Sequence, residues 1–184
     1  MIPRELIDAI HRQYRLSWNG IHGIGHWARV RENGLRIAAQ IPGINTQVVE
    51  LFAVFHDARR ENDGGDPGHG RRGAELANEL RGSFFDLTDD DFELLCTACH
   101  LHTDGFTGGD ITVQTCWDAD RLDLQRVGKT PDPARLCTIA ARDPDLMAWA
   151  NERACRTMVP QFAVDEWGAD PSGPHHGNST GLHE

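Results

Sequence analysis

The sequence predicts an all-α domain with a polar site in its core, and three observations carry that expectation. Apolar residues recur at helical spacing along most of the chain, in stretches separated by Gly, Pro and Asn clusters. No alternating run long enough for a strand is present, and there is no internal repeat. Finally, the stretch Val48-Val49-Glu50-Leu51-Phe52-Ala53-Val54-Phe55 is apolar almost all round and runs straight into His56-Asp57. A helix apolar on most faces belongs inside a core. An imidazole and a carboxylate at its inner end are costly unless something pairs with them, and a shared cation does so most simply.

The elements follow in order. Leu6, Ile7, Ile10 and Tyr14 form a stripe that predicts a first helix over 3–16, with Pro3 in its first turn. After the loop Ser17-Trp18-Asn19-Gly20, His22 and His26 stand four apart on an expected second helix that carries Trp27, Val30, Leu35 and Ile37 and ends at Pro42-Gly43. Asn45 or Thr46 caps the third, ligand-bearing helix. Residues 58–68 are too polar and glycine-rich to pack and read as a loop over its end. A fourth helix starts near His69, and Thr88 with three acidic residues opens a fifth that runs to His100-Leu101-His102. Residues 115–124, 132–141 and 144–158 complete the helical set. From Trp167 onward apolar residues are scarce, so the division expected is a domain over 1–165 and a disordered tail over 166–184.

A chain of 184 residues with net charge -10 is one ordinary domain, and its acidity argues against nucleic acid or an anionic membrane as partner. No stretch has a membrane helix's length, and the N-terminus lacks a secretion signal, so a cytoplasmic protein with reduced cysteines is expected. Cys96-Thr97-Ala98-Cys99-His100 matches the haem-attachment spacing, but without export and late in a helix it reads as packing thiols beside a histidine. Asn178-Ser179-Thr180 is a glycosylation sequon in form alone, and His175, His176 and His183 fall in the tail, outside the expected site.

Around His56-Asp57 the ligand-type residues are His26 one helix earlier, then His69, and an acidic run with Asp118, Asp120 and Asp123. A mixed nitrogen and oxygen set suits a divalent transition metal rather than a closed structural zinc site. Arg59, Arg60, Arg71, Arg72 and Arg121 all lie within a few residues of it, placed to share the charge of a phosphate.

The order His-Trp-Ala-Arg-Val at His26, Phe-His-Asp-Ala-Arg-Arg at His56-Asp57 and Asp-Ala-Asp-Arg-Leu-Asp around Asp120 resembles the HD-domain superfamily of metal-dependent phosphohydrolases. The similarity covers roughly residues 20–125. It implies an HD-like helical bundle holding manganese, nickel, cobalt, iron, zinc or magnesium through His26, His56, Asp57 and Asp120, one ion rather than two. It also implies cleavage of a small phosphorylated metabolite, a nucleotide in many members. Asp57, Arg59, Arg60 and Glu61 are the expected catalytic residues. The sequence departs from the pattern at Arg60, where several members carry a catalytic glutamate; Glu61, Asp63 or Asp66 would then serve as base. His69 and either His100 or His102 resemble the extra histidines of two-metal members or would contact substrate. Two alternatives accompany this reading: a di-iron oxygenase on the same scaffold, and a non-catalytic module with a structural metal.

Overall fold

The computed structural model describes residues 2–173. The fold is all-α: among the described residues there is no strand, only an isolated bridge between Arg81 and Phe85. Helix α1 (Arg4–His11) packs its buried face, Leu6, Ile7, Ala9 and Ile10, on the rest. The central layer is α2 (Ile24–Ala38), α3 (Thr46–Phe55) and α6 (Ile111–Arg121), with α3 also against α5 (Asp89–Leu101) and α4 (His69–Leu80) against α5. Three short 3-10 turns (Leu124–Val127, Pro133–Arg135, Ala140–Arg142), then α7 (Pro144–Cys155) and α8 (Gln161–Asp165), close the domain. No helix among the described residues is long and apolar enough to cross a membrane.

Helix α3 lies in the middle, as its all-round apolar sequence requires. Every residue from Val48 to Phe55 is buried, and Asn45 caps it by accepting from the Gln47 and Val48 N–H groups. Its one charged residue, Glu50, is paired with Arg31 of α2. A second, smaller core of Ile37, Leu122, Leu136, Ala140, Ala141, Leu146 and Ala150 fills the space under α7.

Four expected boundaries move, each for a reason of packing. The first helix stops at His11 because the following turn folds the aromatics together: His11 stacks on Trp18 at 3.9 Å, and Tyr14 meets Trp18 and Trp27 edge-on. The second begins at Ile24, so His22 sits in the turn before it rather than on its face. No helix forms over 132–141. Asp118, fully buried on α6, accepts from the Cys137 N–H at 2.7 Å and from the Thr138 N–H and hydroxyl at 2.8 and 2.9 Å, pulling that segment into two short turns. At the C-terminal end, Trp167 and Ala169 are buried in the main core, so packing continues past residue 165. Residues 174–184, with the sequon and His175, His176 and His183, lie outside the described residues.

Two glycines of α4 set the distance between elements that carry the site. A Cβ on Gly73 would stand 2.2 Å from the Phe55 carbonyl oxygen, and one on Gly70 would stand 2.1 Å from that of Cys99. The start of α4 is therefore laid directly on the C-terminal ends of α3 and α5. Gly73→Ala is expected to lower stability by about 2–3 kcal/mol, the cost of forcing packed backbone apart. Gly25→Ala, where the nearest neighbour is the Val159 methyl at 3.5 Å, should be neutral or slightly stabilising. Chemical denaturation of the two variants measures the difference.

Candidate metal centre

The candidate ligands of the core come from helix ends. His26 sits in the first turn of α2, His56 caps the C-terminus of α3 with Asp57 beside it, His69 opens α4, His102 caps the C-terminus of α5, and Asp120 lies at the end of α6. Helix C-termini carry free carbonyl groups, and here they orient imidazoles. His56 Nδ1 lies 3.1 Å from the Phe52 and Ala53 oxygens, and His102 Nδ1 lies 2.6 Å from that of Cys99. His69 Nδ1 lies 2.6 Å from the Asp66 oxygen, and His26 Nδ1 lies 2.7 Å from Asp123 Oδ2. Each partner is purely an acceptor, so each ring carries a proton on Nδ1, and in its neutral form each Nε2 presents a lone pair.

Those lone pairs converge. His26 Nε2 and His56 Nε2 stand 3.0 Å apart. Asp57 Oδ2 lies 3.7 and 3.8 Å from the two, and Asp120 Oδ1 lies 3.4 and 3.8 Å from them on another side. Asp120 Oδ1 is buried without a hydrogen-bond donor. Donors about 2.1 Å from one ion stand about 3.0–3.4 Å from their nearest fellows, close to the separations found. A buried set of two imidazole nitrogens and two carboxylate oxygens this close together could hold a metal ion.

A second donor group uses the other oxygen of the same carboxylate. Asp57 Oδ1 lies 3.2 Å from His69 Nε2, which lies 2.9 Å from His102 Nε2. Either group, His26-His56-Asp57 or Asp57-His69-His102, could hold a metal ion. The histidine of α5 at the site is His102, while His100 is exposed. Leu95, Ala98, Cys99 and His102 form the buried stripe of α5, and two residues of helical rotation carry His100 to the opposite face.

Further residues hold these groups in place. Arg29 grips Asp123 with Nε and Nη2 at 2.8 and 3.0 Å, and Asp123 in turn orients His26. His22 Nδ1 donates to Asp57 Oδ2 at 2.8 Å. Burial alone would raise the Asp57 carboxyl, but the imidazoles around it, His56 first and then hydrogen-bonded His22 and His69, hold it well below the usual carboxylate range. Burial also raises Asp123, and the Arg29 guanidinium and His26 outweigh it, bringing it down to about 2. Burial dominates at His56, whose imidazole is pushed down to about 3 and stays neutral.

The three acids of the α6 run therefore do three different things: Asp118 anchors a loop, Asp120 faces the site and Asp123 orients a histidine. Of the five arginines expected near the site, Arg60 and Arg121 reach it or an adjoining cavity and the other three do not. Arg59 turns away to Gln13 and Glu79, Arg71 pairs with Glu75 and Arg72 with Asp66. Glu61, expected as a catalytic acid, is exposed and bonded to Arg15, and Asp66 is occupied by Arg72 and the Glu61 N–H. Sequence reasoning named Asp123 without giving it a role and passed over Arg29 and Arg126. Asp123 carried a signal, an acid three residues beyond Asp120 on the same helical face; Arg126 carried none.

A cavity of about 480 Å³ opens above the donors, with Asp57, Asp120 and His102 on its floor and Arg60, Arg126 and Lys129 on its walls. A second, of about 500 Å³, shares Asp120, His102 and Lys129 and adds Arg121 and Arg135. Five cationic side chains of an acidic protein thus line the two cavities. No family model matches the chain, and neither the curated proteins nor the solved structures give a match.

The His56 shift sets a pH dependence. Its folded-state pKa lies below the unfolded value near 6.5, so the stabilisation is complete above that pH and is lost as pH falls toward about 3. With chelator present, denaturation midpoints should fall across this window, and His56→Asn should flatten the decline. Asp123→Asn is expected to weaken manganese binding by about 10–100-fold, the usual cost of losing a partner that orients a ligand, while Asp118→Asn lowers the melting temperature with little change in affinity. Manganese titrations followed by paramagnetic resonance read both.

Proposed function

We propose that the chain is a metal-dependent phosphohydrolase of HD-domain type, acting on a small phosphorylated metabolite, a nucleotide being the leading class. The observation that carries this reading is the meeting of His26 Nε2 and His56 Nε2 with two carboxylates, Asp57 and the donor-less Asp120 Oδ1, both of which also line a cavity walled by Arg60, Arg126 and Lys129. The order of His26, His56-Asp57 and Asp120 along the chain, the helical bundle and the placement of the site at helix ends all agree with it.

His26, His56, Asp57 and Asp120 would hold the ion: manganese, nickel, cobalt, iron or zinc by donor type, with magnesium also admissible. A divalent ion supplies a water of lowered pKa and polarises a phosphoryl oxygen. The chain's own residues do the rest. Lys129 and Arg126 face the cavity and would draw in and share the phosphate's charge. The Arg29–Asp123–His26 chain keeps Nε2 of His26 bare and aimed. With Glu61 and Asp66 committed elsewhere, Asp63 on the cavity wall is the acid of that loop available to take a proton.

The second donor group, Asp57 with His69 and His102, is the feature that would favour a di-iron oxygenase. Phosphate release from a nucleotide panel with manganese tests the choice. The wild type should release phosphate, chelator should abolish release, and Asp57→Ala should lose about 10²-fold or more. Lys129→Ala should raise KM by about tenfold with a smaller change in kcat, as expected for one charge-assisted contact. No release by wild type with any nucleotide, together with substrate-dependent oxygen consumption after iron loading, would replace this reading with the oxygenase. No activity of either kind would leave a binding module with a structural metal.

A further inference from the structure

The second donor group already has a cation within reach. Arg60 is buried, with 7% of its surface exposed, and its Nη1 stands 3.2 Å from Asp57 Oδ1 and 3.1 Å from His69 Nε2. These are two of the three atoms that would bind an ion there. The guanidinium is fixed from behind: Nη2 donates to the Gly64 oxygen at 2.8 Å and Nε to that of Asn62 at 3.4 Å. With its Nδ1 proton committed to Asp66, His69 in its neutral form accepts this bond at Nε2. At the first donor group Arg126 Nη2 stands 3.7 Å from Asp120 Oδ1, beyond hydrogen-bond distance.

A guanidinium does not lose its proton in a protein, so this charge is permanent. A divalent ion at Asp57-His69-His102 would have to displace Arg60 from two of its own ligands or sit beside an undischargeable positive group in a buried pocket. We infer that Arg60 stands in for a second metal ion: Asp57 is shared between an ion on its Oδ2 side and the Arg60 guanidinium on its Oδ1 side, and the native site binds one ion. This inference rests on the proposed first metal site, and it gives the second donor group a chemical role without a second ion. Arg60 also forms part of the cavity wall, so a phosphate entering it meets one exchangeable cation and one fixed one.

The test counts ions. Wild-type protein titrated with manganese alone, in equilibrium dialysis with paramagnetic resonance, should bind one ion per chain and give the six-line spectrum of an isolated centre. Arg60→Ala and Arg60→Gln should bind two, with intensity lost to spin coupling between neighbouring ions. Arg60→Lys should remain at one, and adding His102→Ala to Arg60→Gln should restore one. Two ions in the wild type, or one in every Arg60 variant, would overturn the inference while leaving the first site standing. A wild type that binds none would remove the metal centre itself and this inference with it. Should both neutral variants fail to fold, the wild-type count alone still decides.

Discussion

The structure depends on a burial problem at the end of α3. That helix is apolar on every side but one residue, so it must run through the middle of the bundle, and its C-terminus delivers His56 and Asp57 to a place without water. The remaining helices meet this demand with their own ends. α2, α4, α5 and α6 each bring one or more polar side chains to the same point, and a carbonyl or carboxylate acceptor holds each imidazole so that its bare nitrogen faces inward. Imidazole pairs separated by 3.0 and 2.9 Å would repel in a dry interior unless positive charge lies between or beside them.

Asp57 is the pivot of that charge balance. One carboxylate oxygen faces His26 and His56 and receives a bond from His22; the other faces His69, His102 and Arg60. Its neighbours supply compensation in two forms, a set of oriented imidazoles and the fixed guanidinium of Arg60. The close backbone contacts at Gly70 and Gly73 follow from the same requirement, because α4 must lie directly on the ends of α3 and α5 for His69 to reach Asp57.

Much of the helical framework was legible locally. The stripe of α1, the Asn45 cap and the Thr88 cap all act within a turn or two, and each is in place. The stretch over 132–141 was not legible, since the three hydrogen bonds that break it come from Asp118, 19 and 20 residues away. Trp167 looks like part of a polar tail by composition, yet Phe162 meets it edge-on at 5.0 Å and it is buried in the core. A single aromatic can anchor a segment whose average composition is hydrophilic.

By itself, then, the sequence determined the class of fold and the buried course of α3 into His56-Asp57, because helical period and cost of burial act on residues already close in the chain, whereas His26 and Asp120 were expected beside that pair from the resemblance. Tertiary structure alone decided the division of labour among Asp118, Asp120 and Asp123, the departure of Arg59 and Glu61 to Gln13, Glu79 and Arg15, and the insertion of Arg60 between Asp57 and His69. Long charged side chains can reach several partners of similar energy, and which partner each takes is set by elements far away in sequence.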